Sequence, residues 1–284
     1  MPIQGYIILI LLLTLAIFLF YGFRIAPWRL RIKKYQLDQK KTLGSFSGKR
    51  IVFFSDIHVG PKFTPEHLTR LCQLILAQKP DLILFGGDLV EEKTNFSDNI
   101  FKNKIINELT ALSDYCDCYA VLGNHDVEAH NNRVYTCEVL ASSGFTVLAN
   151  SWAPIDDLAL YGFENASHDQ PVFVDKKDLS SKSFRLLLCH EPDFAGKFKP
   201  VQGNSLYLSG HSHGGQVTLF GLPLILPYLA RRFVRGCHQL NENSQLLISN
   251  GVGTVHIHAR FCARPDIIVL DFPEKAGSTT KFKY

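Results

Sequence analysis

Residues 50–58 read Arg-Ile-Val-Phe-Phe-Ser-Asp-Ile-His, a short apolar run that ends in an aspartate and a histidine. An uninterrupted apolar run of this length is typical of a strand that is buried on both faces. The arrangement returns at 81–88, where Asp-Leu-Ile-Leu-Phe precedes Gly-Gly-Asp, and at 118–126, where Cys-Tyr-Ala-Val-Leu precedes Gly-Asn-His-Asp. The first half of the chain thus presents several buried strands with polar residues directly after them.

Segments with helical spacing of apolar residues separate these strands. In the first segment Leu68, Leu71 and Ile75 fall on one helical face, and Pro80 ends the helix. The predicted helices cover about 65–78, 99–115 and 132–143, and the predicted strands about 50–55, 81–85, 118–122 and 145–148. Strands that alternate with helices indicate parallel βαβ units.

The second half of the soluble part is richer in strands. The predicted strands there cover about 158–163, 184–189, 205–209, 216–219, 245–249 and 266–271. Strands with little helix between them favour a second sheet packed on the first. The predicted fold class is therefore α/β with α+β character: a two-sheet β-sandwich flanked by helices.

Side chains of the types that bind metals follow five of the predicted strands. They are Asp56, His58, Asp88, Asn124, His125, His190, His211 and His213. Because the carboxyl ends of strands in an α/β sheet line one crevice, these residues are expected to meet at one rim. Carboxylate and imidazole ligands favour zinc, manganese or iron over a metal held by thiolates. A lone histidine after a strand is usually structural, but a purely structural role for the whole set is a poor explanation.

The sequence resembles the calcineurin-like metallophosphoesterase superfamily over about residues 49–272. The resemblance is carried by five blocks in the family's order: Asp-Ile-His at 56–58, Gly-Gly-Asp at 86–88, Gly-Asn-His-Asp at 123–126, His-Glu-Pro-Asp at 190–193 and Gly-His-Ser-His-Gly-Gly-Gln at 210–216. One block alone would carry little weight, whereas five at compatible spacings are specific. Residues 213–216 and 250–266 further resemble a bacterial membrane-associated branch, YkuE/YaeI-like, which includes UDP-2,3-diacylglucosamine pyrophosphatases.

The resemblance implies a metallo-dependent phosphatase fold and two divalent metal ions, with manganese expected and zinc or iron as alternatives. It implies that one metal is held by Asp56, His58, His213 and a bridging Asp88, and the other by Asp88, Asn124, His190 and His211. A metal-bound hydroxide would attack phosphorus. His125 would be a catalytic residue without a metal, protonating the leaving oxygen or stabilising the transition state, with Asp126 orienting it.

The same resemblance predicts a metal-dependent phosphoric ester hydrolase, a phosphodiesterase or pyrophosphatase. Gly87-Asp88 is followed by Leu-Val-Glu, and Asp126 stands where Ser/Thr protein phosphatases carry glutamate, so that class is disfavoured. The expected substrate is a phosphoester, with a lipid-linked one such as UDP-2,3-diacylglucosamine of lipid A synthesis as the leading hypothesis. A general phosphodiesterase or phosphomonoesterase for soluble substrates and a non-catalytic metal-binding scaffold remain as alternatives.

The first 23 residues carry no charged side chain, and residues 5–23 are almost wholly apolar. A run of about 20 apolar residues suits a helix that spans a bilayer. Arg24, Arg29 and Arg31 follow directly, which favours a single-pass anchor with the catalytic domain in the cytoplasm, at the cell inner membrane. A cleaved or twin-arginine export signal is the alternative. The predicted division is a transmembrane signal anchor at 1–23, a basic juxtamembrane linker at 24–48 and the metallophosphoesterase domain at 49–284.

The net charge of +4 is concentrated beside the apolar run. Residues 24–50 carry nine Lys or Arg residues and one acidic residue, so the rest of the chain is net negative. Such a distribution suits anionic lipid headgroups better than nucleic acid, and no nucleic-acid partner is expected. The seven cysteines have scattered spacings, typical of free thiols in a reducing compartment.

Two further segments have an open role. Residues 219–229 form an apolar loop with two prolines directly after the last block, and Arg231 and Arg232 follow it. The loop either contacts acyl chains, with the arginines on a headgroup phosphate, or simply covers the sheet. His256 and His258 alternate on a strand-like stretch and are either rim residues or substrate contacts.

Overall fold

A computed structural model of the chain describes residues 3–37, 46–155, 158–174, 184–197 and 204–272. The helices are α1 (Ile3–Phe20), α2 (Pro65–Leu76), α3 (Asn99–Ser113), α4 (Asn124–Val127), α5 (His130–Ser142) and α6 (Pro192–Ala195). The strands are β1 (Arg31–Gln36), β2 (Arg50–Phe54), β3 (Leu82–Phe85), β4 (Cys118–Ala120), β5 (Thr146–Val147), β6 (Ser151–Ile155), β7 (Leu158–Gly162), β8 (Arg185–Leu188), β9 (Ser205–Ser209), β10 (Thr218–Leu219), β11 (Leu222–Pro223), β12 (Gly236–Asn241), β13 (Ser244–Ile248) and β14 (Asp266–Asp271).

The first sheet has the strand order β1-β14-β2-β3-β4-β5, and β2 to β5 run parallel. Side chains alternate across it, as the pleat of a strand requires. Val52 and Phe54 face the layer of helices α2, α3 and α5, whereas Ile51 and Phe53 face the second sheet. The sheet is thus buried on both faces, which is why its central strands are continuously apolar.

The second sheet has the order β12-β13-β9-β8-β7-β6, with a parallel centre. Its inner face supplies Leu186, Leu206 and Leu247 to the core between the two sheets. Its outer face holds a separate apolar cluster that includes Tyr207 and Phe233. The predicted two-sheet sandwich flanked by helices is confirmed.

Strand β1 lies inside the segment that the sequence predicts to be a linker. It pairs in parallel with β14 along its whole length, from Arg31 beside Asp266 to Gln36 beside Asp271. The linker prediction for residues 24–48 is therefore wrong for residues 31–36, while residues 38–45 lie outside the described residues. An edge strand has one unpaired side and tolerates charged side chains, so its basic composition imitates a solvated linker.

The stretch Ile3–Trp28 is helical, and it is long and apolar enough to cross a membrane. None of the α1 residues is buried by the rest of the chain. Its far end is fixed to the domain, because the Phe261 ring lies 4.7 Å from the Phe18 ring and directly against Gly22. Arg260 N–H also donates to the Gly22 carbonyl, at 2.9 Å. The apolar helix is thus packed onto the domain rather than joined to it through an extended tether.

Candidate active site

Six of the seven predicted ligands meet in two clusters that share one residue. The ligand atoms of Asp56, His58, Asp88 and His213 all lie within 4.8 Å of one another, and so do those of Asp88, His190 and His211. All six are buried. The shared residue is Asp88, which the sequence predicted as the bridge between two metals.

The backbone at these ligands adopts a conformation that the sequence pattern does not reveal. Five of the six have a positive φ in the left-handed region: Asp56, His58, Asp88, His211 and His213. A non-glycine residue there costs about 1–3 kcal/mol and persists only where its surroundings impose it. The strain lies in the turns after β2, β3 and β9, where it directs the ligand side chains toward one another.

Glycine makes the close approach of these turns possible. A Cβ atom on Gly123 would lie 2.1 Å from the Asp88 Oδ1 atom and 2.4 Å from the Asp88 backbone nitrogen. Any larger residue at position 123 would displace the shared carboxylate. The Gly-Asn-His-Asp block therefore begins with glycine for a steric reason.

Hydrogen bonds to backbone carbonyls orient the ligand imidazoles. His58 Nδ1 lies 3.1 Å from the Val90 carbonyl oxygen, and His190 Nδ1 lies 2.7 Å from that of Gly86. These bonds leave the Nε2 atoms of both rings for the clusters. His190 Nε2 is 3.2 Å from Asp88 Oδ2, and His58 Nε2 is 3.1 Å from His213 Nε2.

The protonation states of two of the imidazoles suit metal binding directly. Burial lowers the pKa of His58 to about 3 and the pKa of His213 well below its usual value, so both imidazoles are neutral near pH 7. For His190, burial lowers the pKa but the Asp88 carboxylate outweighs it and raises the pKa well above its usual value, so His190 must release a proton to bind a metal. Two buried side-chain atoms, Asn124 Oδ1 and His213 Nδ1, have no hydrogen-bond partner among the described residues. Neutral imidazoles, carboxylates and unpaired acceptors in one cluster fit two divalent cations.

Helix α4 carries the third block and places Asn124 and His125 on the cavity that Asp88 also lines. His125 Nδ1 lies 3.3 Å from Glu128 Oε2, one helical turn away. Burial lowers the pKa of His125, but the charges of Asp88 and Glu128 outweigh it and the pKa is raised. Glu128, which the sequence analysis did not identify, is thus the carboxylate beside the catalytic candidate; its only sequence signal is the i, i+3 spacing.

The prediction that Asp126 orients His125 is wrong. The Asp126 carboxylate accepts hydrogen bonds from backbone N–H groups of Asp88 at 2.7 Å, Leu89 at 2.8 Å and Gly123 at 2.8 Å. It therefore ties the turn that carries Asp88 to the start of α4. Asp126 is a positioning residue for the shared ligand.

An Asp126→Asn variant is expected to lose about 10- to 100-fold in metal affinity, because one carboxylate oxygen would become an amide donor facing backbone N–H groups. Metal titration followed by calorimetry would measure the change. Asp117→Asn, an exposed substitution of the same kind, is the control and should bind metal like the wild type. Equal metal affinity in Asp126→Asn and wild type would rule out the positioning role.

A cavity of about 520 Å³ opens beside the two clusters. One side of it is polar and includes Asp88, Asn124, His125, His211 and His213. The other side is apolar, formed by Leu224, Ile225, Pro227, Val255 and Ile257. The volume lies within the range of roughly 300–1,000 Å³ typical of small-molecule sites.

Leu224, Ile225 and Pro227 of the apolar wall belong to a segment that we name the apolar hairpin, residues 218–228. Strands β10 and β11 pair antiparallel around Phe220 and Gly221, which have φ angles of 50° and 88°. Two central residues with positive φ are typical of a tight type I′ turn. Phe220 is 95% exposed and Ile225 82% exposed, so the interpretation that this loop only covers the sheet is wrong.

The hairpin is joined to the end of the apolar helix through Phe261. Thr218 N–H donates to the Phe261 carbonyl at 3.2 Å, and Phe261 N–H donates to the Gln216 carbonyl at 2.9 Å. Gln216 also fixes residues 255–257, since its Nε2 donates to the Val255 and Ile257 carbonyls. Gln216 lies at the end of the last sequence block, and its side chain holds one rim of the cavity.

The two histidines of residues 256–258 differ in position. His256 lines the cavity, with its ring centroid 6.2 Å from that of His125. His258 Nδ1 instead lies 2.9 Å from the Thr254 hydroxyl. The structure forms no strand at 256–258.

The paired arginines do not line this cavity. The Asp193 carboxylate accepts hydrogen bonds from the backbone N–H groups of Arg231 at 2.8 Å and of Arg232 at 3.1 Å. The Arg232 guanidinium lies over the Phe233 ring. Both arginines therefore lie outside the active-site cavity, and their contact with a headgroup phosphate stays a prediction.

Comparisons with known proteins agree with this geometry. Residues 49–215 match the calcineurin-like phosphoesterase family. The chain is 30% identical over 260 residues to the uncharacterized metallophosphoesterase YkuE of Bacillus subtilis, covering 88% of each chain. It is 32% identical over 235 residues to the phosphodiesterase YaeI of Escherichia coli, covering 78% of this chain and 81% of that one. A Danio rerio transmembrane protein with a metallophosphoesterase domain is 27% identical over 276 residues, covering 92% of this chain and 61% of the relative.

The chain belongs to the calcineurin-like phosphoesterase family. Within it, the sequence is similar to the branch that contains YkuE and YaeI. It is a metal-dependent phosphoester hydrolase with an Asp- and His-rich site for two divalent metals.

Proposed function

We propose that this phosphoesterase hydrolyses a phosphodiester or pyrophosphate bond in a lipid-linked substrate at the surface of the cytoplasmic membrane. The observation that carries the proposal is the position of the apolar hairpin. It forms one wall of the active-site cavity and is joined through Phe261 to the end of the apolar helix. A substrate with a phosphorylated head and acyl chains, such as UDP-2,3-diacylglucosamine, matches a cavity with one polar and one apolar side.

Exposure of the hairpin supports contact with lipid. Leu222 is 74% exposed and Leu224 is 61% exposed, in addition to Phe220 and Ile225. Soluble proteins rarely leave a continuous apolar patch in water without an interaction that covers it. The α1 helix, which leaves the domain beside Phe261, is exposed along its length, so a bilayer around α1 would also reach the hairpin.

The side chains of the site have distinct proposed roles. Asp56, His58, Asp88 and His213 would hold one divalent cation, and Asp88, Asn124, His190 and His211 the other, with manganese as the expected metal. When bound, the cations supply Lewis acidity that polarises the phosphoryl oxygens and makes an attacking water more acidic. His125 lines the cavity with Nδ1 beside Glu128, which leaves Nε2 to donate a proton to the leaving oxygen.

Charge and the state of the cysteines support a cytoplasmic orientation of the domain. Arg24 and Arg29 come directly after the apolar run, and the positive-inside rule favours the cytoplasmic side for them. All seven cysteines are free, which agrees with a reducing compartment. We therefore propose a single-pass inner-membrane protein with a cytoplasmic catalytic domain.

The test compares one acylated and one unacylated substrate on the purified full-length protein loaded with manganese. UDP-2,3-diacylglucosamine in mixed micelles is expected to be cleaved with a kcat/KM about 100-fold higher than UDP-N-acetylglucosamine, which lacks the acyl chains. An Asn124→Ala variant should show no turnover of either. Equal kcat/KM on the two nucleotides would instead favour the alternative of a tethered enzyme for soluble substrates.

A Phe220→Ser/Leu222→Ser variant tests the hairpin itself. Neither side chain lines the cavity, so activity on bis(p-nitrophenyl) phosphate should stay unchanged. Activity on the acylated substrate should fall about tenfold or more, since each side chain would lose roughly 1.5–3 kcal/mol of burial in lipid. Ile100→Ser, which removes a 75% exposed side chain on α3, is the matched control and should change neither rate. A parallel loss on both substrates would contradict the role of the hairpin.

A further inference from the structure

A second cavity, of about 380 Å³, lies at the base of the apolar helix and is separate from the active-site cavity in its lining. Tyr21 and Ala26, just beyond α1, line one part of it. Five cationic side chains line the rest: Arg31, Lys33, Arg235, Arg260 and Arg264. We name it the basic cavity.

The cavity keeps most of its positive charge. One lining side chain is paired: the Lys33 Nζ atom lies 2.5 Å from the Oδ2 atom of the buried residue Asp266. The other oxygen of Asp266 accepts hydrogen bonds from the Ser249 hydroxyl and the Asn250 N–H. Over the described ranges of the chain, no carboxylate lies within ion-pair distance of Arg31, Arg235 or Arg264.

Hydrogen bonds to backbone carbonyls hold two of the arginine side chains in place. Arg235 donates to the carbonyls of Gly221 and Cys262, and Arg264 Nε donates to the Arg29 carbonyl at 3.1 Å. These bonds fix each guanidinium but do not neutralise it. The remaining guanidinium N–H groups are suited to a phosphate, which accepts several hydrogen bonds in a fork-like geometry.

Two buried polar atoms of lining residues lack partners. Arg260 Nε, a donor, and Asn250 Oδ1, an acceptor, make no hydrogen bond among the residues that the structure describes. Buried unpaired polar groups are costly, and their presence in a native structure calls for a partner. Both atoms are inaccessible in this conformation, but both residues line the basic cavity, where a guest with phosphate oxygens and a hydroxyl group would offer a partner of each kind.

We propose that the basic cavity binds the headgroup of an anionic phospholipid that carries a phosphate and a hydroxyl, of the phosphatidylglycerol type. The cavity begins where the apolar helix ends, which is the depth of the headgroups for a helix that spans a bilayer. The inference rests on the proposed membrane anchoring and is independent of the substrate. The lipid is a bound partner of the anchor and undergoes no reaction there.

The test measures binding of fluorescent phosphatidylglycerol to the full-length protein in mixed detergent micelles, with the Asn124→Ala variant as background so that hydrolysis plays no part. Arg31→Gln and Arg264→Gln are each expected to raise the Kd about tenfold, the loss of one charged hydrogen bond. Lys34→Gln, an exposed residue on the same strand that does not line the cavity, should change the Kd less than twofold. Phosphatidylcholine should bind much more weakly in every variant.

Three outcomes would overturn the assignment. An equal effect of Lys34→Gln would mean diffuse surface charge. Equal binding of phosphatidylcholine, which carries a phosphate but no net charge, would mean that neither the net negative charge nor the hydroxyl of the headgroup is recognised. Displacement of the lipid by free glycerol 3-phosphate at the concentration at which the lipid itself binds would mean a site for soluble anions. The assay measures lipid binding without turnover. A negative result would therefore not contradict the proposed substrate class, and negative substrate tests would not contradict this lipid site.

Discussion

An Asp88→Asn variant is expected to lose both metals and about a thousandfold in kcat/KM. Asp88 belongs to both ligand clusters, so its replacement weakens each of them, whereas a ligand such as His58 belongs to one. Elemental analysis of purified variants should therefore find fewer than one metal per chain in Asp88→Asn and about one in His58→Ala.

The number of metals bound per chain distinguishes loss of a shared ligand from general unfolding of the variant. His130→Ala, an exposed substitution outside the clusters, should retain both metals and wild-type activity. Two metals per chain in Asp88→Asn would show that this carboxylate is not the bridge. Unchanged thermal unfolding of the metal-free variant relative to metal-free wild type would confirm that the fold is intact.

An Arg260→Met variant is expected to be less stable by about 3 kcal/mol, the largest effect on folding that we anticipate. The Arg260 side chain is fully buried, and its terminal nitrogens donate to four carbonyls, those of His213, Gly251, Gly253 and Ala263. Methionine would fill a similar volume but leave those carbonyls unpaired. The midpoint of thermal unfolding, followed by intrinsic fluorescence in detergent, should fall by roughly 6–12 °C.

The control for this variant is Arg70→Met, which changes an exposed arginine on α2. Its unfolding midpoint should stay within about 2 °C of the wild type. If Arg260→Met were as stable as the control, the four hydrogen bonds to carbonyls would make no net contribution to the free energy of unfolding. Because one of them is to the ligand His213, the same variant should also bind metal less tightly.

The position of the ligands could be predicted because strand ends and residue type are both visible in a sequence. Buried runs such as 50–54 identify the central strands, and parallel pairing brings their carboxyl ends together. The left-handed backbone at Asp56 and Asp88 could not be predicted in this way, because no property of aspartate demands it. It is imposed by the neighbouring turns and appears only in the folded chain.

The strands that sequence reasoning missed are mostly at the edges of the sheets. β1, β6 and β12 each end a sheet in the strand order. An edge strand does not need the continuous apolar pattern of a central one, so β1 is basic and β12 is largely polar. A continuous apolar pattern identifies strands that are fully buried, whereas these edge strands are only partly buried.

A local contact explains why Glu128, and not Asp126, lies beside His125. Asp126 lies at the third position of α4, where its carboxylate reaches back to the Gly123 N–H at the start of the helix. That capping bond turns the side chain away from the imidazole. Adjacency along the chain suggested Asp126 as the partner of His125, but the helical turn places Glu128 there instead.

The strand order of the first sheet has a consequence for synthesis of the protein. β14 lies between β1 and β2, so two segments from the beginning of the chain are brought together by one that is made more than 200 residues later. Contacts of such long sequence separation form slowly. Until β14 is made, one edge of β2 has no partner, and such an edge can pair with another chain. The growing polypeptide therefore exposes an unpaired edge of β2 until β14 is made and pairs with it.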